Sequence, residues 1–397
     1  MKLFSIKTDW SLWIFKVALF ISFIYSMHPW FIWFLGNRVV ILSVVLFGLT
    51  LFYSKYLYEV TRKKLAAFFI IILLYIYMFV CREDMTILGM IFSFLNILVF
   101  GFIIFSKDLY RTESLQFIAE LLACISLFSM IGLILFWGGI NFSPRMIDFN
   151  NGQYEYYNYY FFLIDLRAIS LDKWRFSGCF LEPAHIGVAS AVLLISQNYN
   201  LKKWYNVVLL LTIIISFSLA AYVLIFWGLY IKILMTSKYI IVYTFILLFV
   251  SISLALIAFN YNQGDNFVNK YIFERLVFKD GEMAGDNRVS HGFKKDYERF
   301  MESNKVWLGT KYDQNRYEGG NAGYRVYIYQ NGLIGLLLII MLYFLLIPPG
   351  TPASLALFLL ILNAMIFWKG GTPLWYNLII PYLFSFSSLR RFYIRSK

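Results

Sequence analysis

Trp204-Tyr-Asn-Val-Val-Leu-Leu-Leu-Thr-Ile-Ile-Ile-Ser216-Phe-Ser218-Leu-Ala-Ala-Tyr222-Val-Leu-Ile-Phe-Trp-Gly-Leu-Tyr-Ile231 runs for 28 residues without a charge. A helix crossing the hydrocarbon core of a bilayer takes about 20 residues, so this stretch is too long for one upright helix and short for two. Ser216-Phe-Ser218 marks where a tight turn would divide it. One strongly tilted helix is the rival reading, and it would invert everything that follows. The rest of the chain is equally apolar, since 60% of its 397 residues are hydrophobic and 21% aromatic. Long charge-free runs have no polar face to offer water, so the fold class is an all-α integral membrane protein.

Apolar runs bounded by charge predict about twelve transmembrane helices, near 11–27, 39–53, 65–81, 87–105, 115–138, 179–197, 205–219, 221–235, 239–259, 326–346, 353–367 and 374–388. Residues 1–397 therefore read as a single polytopic membrane domain, interrupted by two hydrophilic stretches at 139–177 and 260–325. Lys2 and Lys7 precede a long first run with no small-residue cleavage pattern, which predicts an uncleaved first span.

The net charge of +13 has to be read by position, because Lys and Arg orient membrane proteins. With the turn at Ser216, the basic residues of alternate connections fall on one side. These are Lys2 and Lys7; Lys55, Arg62, Lys63 and Lys64; Lys107 and Arg111; Lys202 and Lys203; Lys232 and Lys238; and Arg390, Arg391, Arg395 and Lys397. The opposite short loops carry only Arg38, Arg82 and Lys369. Both termini are then cytoplasmic, and both hydrophilic stretches are large extracytoplasmic loops. Nucleic acid is not the partner this charge implies; the lipid bilayer is. Cys81, Cys124 and Cys179 show no metal-ligand spacing and no disulfide framework.

The first loop carries a tyrosine-rich run, Tyr154-Glu-Tyr-Tyr157-Asn-Tyr-Tyr160, then Arg167 and Arg175-Phe-Ser-Gly178-Cys-Phe-Leu-Glu182-Pro-Ala-His185. Pro183 suits the first turn of a helix, where its missing N–H costs nothing, so the sixth span should start beside Glu182. Glu182 and His185, three apart, then share a helix face, and Gly178 lets Arg175 fold back toward them. A carboxylate embedded beside an apolar run is expensive and is a functional candidate by default. The tyrosines read either as interfacial anchors or as stacking surfaces for sugars.

The second loop offers Arg288 and His291, a mixed-charge run from Lys294 to Arg299 that reads as a solvated helix face, Trp307-Leu-Gly309, and Gly319-Gly-Asn-Ala-Gly323-Tyr324-Arg325. Arginine suits a phosphate, since its planar fork is always charged and donates paired hydrogen bonds. Arg175, Arg288 and Arg325 are candidates to hold a diphosphate. The chain has no GxxxxGK[ST], HExxH or CxxC pattern, so neither an ATP-driven motor nor a metal cofactor is encoded by motif. Glu120 lies within a span, either on a proton path or satisfied by a neighbour.

The run Arg175 to His185 resembles the arginine, glycine and proline signature of the bacterial O-antigen polymerase and O-antigen ligase superfamily. Ser216-Phe-Ser-Leu-Ala-Ala-Tyr222 is similar to the serine-containing break between two short spans in that family. Asn321-Ala-Gly-Tyr-Arg325 with Gln330-Asn-Gly332-Leu-Ile-Gly335 resembles the element that closes the large loop. Arg167 has ten residues before Gly178, as in the polymerases, whereas Arg299 precedes Gly309 by one residue too few, leaving open which second-loop arginine corresponds. The resemblance covers about 139–335.

It implies a GT-C-like, metal-independent, cofactor-free glycosyltransferase of the inner membrane. Such an enzyme transfers a growing glycan from undecaprenyl diphosphate to the next lipid-linked oligosaccharide repeat unit with inversion. A chain-length regulator, a polysaccharide co-polymerase, is the implied protein partner. In that reading Arg288 and Arg175 take the diphosphate and Glu182 is the base. Arg167, His185, His291, Tyr324, Arg325 and Tyr157 bind substrate. A ligase of the same superfamily and a lipid-linked oligosaccharide flippase are the alternatives; a flippase would more naturally show internal repeats and short outer loops.

Overall fold

Lipid offers no partner to a bare peptide group, so an apolar run keeps its N–H and C=O groups paired within itself as a helix. The computed structural model shows one in each of the twelve stretches. It describes residues 2–81, 86–149, 154–167, 175–236, 239–266, 269, 274, 278–279, 282–283, 289–313, 316–317, 323–370 and 374–396. Ahead of the first loop come α1 (Lys2–Tyr25), α2 (Arg38–Thr50), α3 (Arg62–Cys81), α4 (Ile87–Phe105) and α5 (Asp108–Trp137). Between the loops run α6 (Pro183–Ser196), α7 (Trp204–Ser216), α8 (Leu219–Thr236) and α9 (Ile240–Asn260). The second loop holds α10 (His291–Met301), followed by α11 (Gly323–Leu345), α12 (Ala353–Gly370) and α13 (Tyr376–Ser396). By length and composition α3, α4, α5, α9 and α11 can cross a membrane; the other helices outside the loops are shorter in their apolar part. Large apolar side chains stay on the outside, as Ile241, Phe245, Phe249 and Ile252 do on α9, which marks a surface made for lipid.

The short helix α6 is the axis of the molecule. Every residue from Ile186 to Ser196 is buried, as expected of a helix apolar all round, and α7, α8, α5 and α13 enclose it. The uncharged stretch 204–231 resolves into two helices, not one tilted helix. Phe217 adopts a left-handed φ of 45° between them, and the Ser216 and Ser218 hydroxyls accept from the N–H groups of Ser218 and Ala221. The turn lies against Gly187, where an added Cβ would meet Ser216 Oγ at 2.7 Å. Helix α8 then returns to the far end of α6, where Lys232 donates to Asn198 O at 3.1 Å.

Lys63, Lys64 and Lys232, from three of the alternate connections, consequently gather at one end of the bundle. Lys64 donates to Ser106 O beyond α4, Lys63 reaches Ile347 O beyond α11, and Ser388 of α13 reaches Ser196 O at the end of α6. Glu182, the turn at Phe217, the described first-loop strands and the Trp307–Thr310 segment belong to the opposite end. Arg111 is an exception to its sequence reading as a loop charge. It is buried in α5, donating to Ser106 Oγ, Ser106 O and Ile104 O and paired with Asp108 at 2.7 Å.

Both loops contain strands that the all-α expectation did not include. In the first, β1 (Arg145–Phe149), β2 (Tyr154–Asn158) and β3 (Leu163–Asp165) form an antiparallel sheet in the order β1-β2-β3, with Tyr156 opposite Ile147 and Asp165. Alternation along β2 turns Tyr154 and Tyr156 to one face and Tyr157 to the other, so the sheet lies on the bundle with aromatic contacts on both sides. Tyr156 donates to Leu181 O at 2.6 Å, Leu163 N–H to Gly178 O at 2.8 Å, and Ser129 of α5 to Phe161 O at 2.7 Å. In the second loop β4 (Phe278–Lys279) pairs with β5 (Glu282–Met283), and α10 buries Phe293 and Phe300 against Tyr317 and Tyr329.

Helix α11 is broken at Gly332, which has φ 62° and ψ −172°. The released peptide groups are taken up by Trp307-Leu-Gly309-Thr310. Ile334 N–H donates to Trp307 O, Thr310 N–H donates to Tyr329 O, and Tyr77 of α3 donates to Leu308 O and Asn331 O. Backbone passes backbone so closely that a Cβ at Gly332 would lie 2.3 Å from Trp307 O. Gly332→Ala should therefore lower stability by about 1–3 kcal/mol or more through the left-handed φ and the clash. Gly48→Ala on α2, with no atom within 4 Å of the added methyl, should not. Thermal unfolding of the two purified variants in detergent makes the comparison.

Candidate functional site

Glu182 occupies the N-cap position of α6 with extended backbone (φ −138°, ψ 151°), yet its side chain does not cap the helix. Pro183 follows at the first helical position, as the sequence predicts, and of the N–H groups a cap could serve, that of His185 donates to the Glu182 carbonyl at 3.0 Å and not to its carboxylate. The carboxylate turns instead to the sheet, where Tyr154 donates to its Oε1 over a long 3.4 Å. Burial and the neighbouring carboxylate raise the Tyr154 pKa above its ordinary value, which keeps the phenol protonated as a donor. A carboxylate at the head of a helix also gains from the helix dipole.

Arg167 lies on the other side of the same tyrosine. Its guanidinium stands 4.4 Å from the centre of the Tyr154 ring and is held by Asp165 through Nη2–Oδ2 at 2.8 Å and Nε–Oδ1 at 3.1 Å. Arg167 and Glu182 thus share one tyrosine. Arg175 is half-buried, just before the buried Phe176-Ser-Gly178 segment, where Gly178 has φ 56° and faces Ser129 and Ile186.

His185 begins its own network one helical turn on. Its Nδ1 is 3.1 Å from Met27 O, and since a carbonyl only accepts, Nδ1 carries the proton and Nε2 is the basic nitrogen. Beside it stands His28, in a left-handed conformation with φ 50°, its ring centre 6.1 Å from that of His185. Trp375 caps the pair edge-on at 5.3 Å from His28 and 6.1 Å from His185. Burial, with the repulsion of His185 second, pushes the His28 pKa down to about 4. The imidazole of His28 is therefore neutral at pH 7.

His28 and Trp375 are not candidates by sequence. The one signal was that His28-Pro29-Trp30 follows the first span directly, with only three histidines in the chain. What brings them in is a long-range tie. Trp30 N–H donates to Cys179 O at 3.0 Å and Pro29 bridges Phe180, so the α1–α2 connection is stitched to the strand entering α6. Trp33 Nε1 closes the turn by donating to His28 O at 2.8 Å.

The remaining candidates lie elsewhere. Tyr157 faces away from Tyr154 across β2. His291 is exposed at the first position of α10 after the Ser290 cap. Tyr324 and Arg325 open α11 together, Arg325 Nε donating to Tyr324 Oη at 2.9 Å with its guanidinium 5.8 Å from the Tyr297 ring. Arg288 lies outside the described residues. The 294–299 run is only partly a solvated face: Lys295, Glu298 and Arg299 are exposed, but Asp296 turns inward to Tyr317 Oη at 2.7 Å and Arg316 at 3.0 Å. Glu120 accepts from Gln116 one turn away on its own helix at 2.7 Å and also lies within electrostatic reach of Tyr205 on α7. Among the described residues, no group of three or more His, Cys, Asp or Glu could hold a metal ion.

No family model, no curated protein and no solved structure matches this chain.

The His28 environment sets a pH dependence. Because its folded pKa is depressed, the unfolded chain binds more protons between about pH 4 and pH 6.5, and stability falls as pH drops through that window. The groups facing His28 are His185, Tyr25, Phe149 and Trp375. By linkage the wild type should lose up to roughly 3 kcal/mol from this residue alone. His28→Asn, which tolerates the left-handed backbone, should lose correspondingly less between pH 7 and 4.5, as read by thermal unfolding.

Proposed function

We propose that this chain polymerises polyprenyl-diphosphate-linked oligosaccharide repeat units into a surface polysaccharide by inverting glycosyl transfer. The observation that carries the reading is at the head of α6. A carboxylate that does not cap its helix meets there a tyrosine whose ring also holds Arg167, one turn from a neutral His28 beside His185, at the end of the apolar bundle opposite Lys63, Lys64 and Lys232. An amphiphilic substrate suits that level. Its isoprenoid chain stays in lipid while its diphosphate and sugars reach the polar end.

In this reading the chain crosses the bacterial inner membrane twelve times, with both termini in the cytoplasm and both loops outside. Basic residues that collect at one end support that orientation. The acceptor hydroxyl attacks the anomeric carbon of the donor glycan. The carbon–oxygen bond to the carrier diphosphate breaks, the diphosphate leaves with the electron pair, and Glu182 takes the hydroxyl proton. Arginine stabilises the charge on the departing diphosphate; Arg167 is now a candidate for this role beside Arg175 and Arg288. His185 Nε2 accepts from a second sugar hydroxyl, with His28 and Trp375 holding its ring. Tyr157 and the exposed Tyr160 offer stacking faces to sugars, and a chain-length regulator remains the proposed protein partner.

Deleting the gene in its host and running surface and lipid-linked glycans on a gel tests this. The expected result is a single repeat unit on the acceptor with no ladder above it. Polymer left on the carrier would make the protein a ligase, and an unchanged ladder would favour a transporter. On complementation, Glu182→Gln should lower the polymerisation rate at least about 100-fold, as loss of a general base does. Tyr154→Phe should lower it roughly 2–10-fold, the effect of one hydrogen bond.

A further inference from the structure

A cavity of about 360 Å³ opens at the end of Lys63 and Lys64, between the start of α3, the start of α5 and the connection from α11 to α12. Its charged lining is Glu59, Arg62, Lys63, Lys64, Asp108 and Arg111. The buried Arg111 guanidinium forms a fixed floor, tied to Ser106 and Ile104 and paired with Asp108. Lys64 is held by Ser106 O at 2.9 Å and stands 4.0 Å from Glu59. Both carboxylates are thus engaged. Among the described residues no carboxylate pairs with Arg62 or Lys63, which are exposed; Lys63 Nζ reaches only Ile347 O, at 3.5 Å. The cavity carries a surplus of two positive charges.

Its walls are apolar, from Ile104, Leu346 and Leu383. From Arg62 an exposed apolar stripe leads away along α3 through Leu65, Phe69 and Leu73, spaced four apart on one helix face. Arg111, in the first turn of α5, lies 18 residues from Ser129, which touches the opposite end. At 1.5 Å per residue this separates the cavity from the Glu182 region by about 27 Å along the helix.

We propose that this cavity binds an anionic phospholipid, its phosphodiester head group on Arg62 and Lys63 and an acyl chain along the α3 stripe. A basic pocket between helices at the membrane surface suits a lipid phosphate, and the stripe supplies what a soluble anion has no use for. The site lies at the opposite end from the proposed glycosyl transfer and does not depend on it.

Native mass spectrometry of the full chain in detergent, with phosphatidylglycerol or phosphatidylcholine added at equal concentration, tests the assignment. Phosphatidylglycerol should be retained preferentially. Arg62→Gln or Lys63→Gln should each weaken its retention roughly 5-fold, the attraction one basic residue usually supplies at an anionic surface. Lys202→Gln with Lys203→Gln, at the same end but outside the cavity, should leave it unchanged. Thermal unfolding in lipid-free detergent should be the same for all variants, since the substituted side chains are exposed. Equal retention of both lipids, equal loss in the Lys202 and Lys203 variant, or full competition by glycerol 3-phosphate would each overturn the proposal.

Discussion

A peptide group released from a helix inside an apolar body has to find another partner, and the places where this chain meets that demand shape the rest of the structure. At Phe217 the hydroxyls of Ser216 and Ser218 take over. At Gly332 the segment from Trp307 to Thr310 lies against the break, and Tyr77 donates to carbonyls on both sides of it. Around Gly178 the edge of the first-loop sheet and the Pro29-Trp30 turn complete the pairing. Each break brings segments distant in sequence together at the polar end of the bundle.

The head of α6 follows from that demand. Because α6 is enclosed on all sides, its first residue is held rigidly, and because the Glu182 carbonyl takes the His185 N–H, the carboxylate is left to turn to the sheet. The sheet, pinned through Tyr156 and Phe161, carries Tyr154 to the carboxylate with Arg167 against the tyrosine ring. The turn after α1, pinned through Trp30, carries His28 to His185. The second-loop residues belong to a separate aromatic group around Asp296 and Tyr297.

Features set by local physics were legible in the sequence. The helix positions follow from uncharged runs, the start of α6 from Pro183, and the turn at Ser216 from small polar residues in an apolar stretch. Features set by long-range pairing were not. The tyrosine run reads as anchors or stacking rings because nothing local says that Met146 and Ile164 flank Tyr157. Arg111 reads as a loop charge although its partners Ile104, Ser106 and Asp108 are close in sequence, because its burial depends on the helices packed around it. Arg167 lies 15 residues before Glu182 with nothing local to join them, and the sheet that pairs Asp165 with Tyr156 brings it to Tyr154. His28 and Trp375 lie 347 positions apart, and no periodicity joins them.

The central claim is that a polar group at one end of this apolar bundle extends a glycan on a lipid diphosphate. The most direct measurement is a reconstitution: the purified full chain in bilayer nanodiscs, given only the lipid-linked repeat unit. The account predicts stepwise conversion to longer lipid-linked glycans with release of the free polyprenyl diphosphate, one carrier for each bond formed. Repeat units that remain monomeric in the presence of correctly folded protein would contradict it.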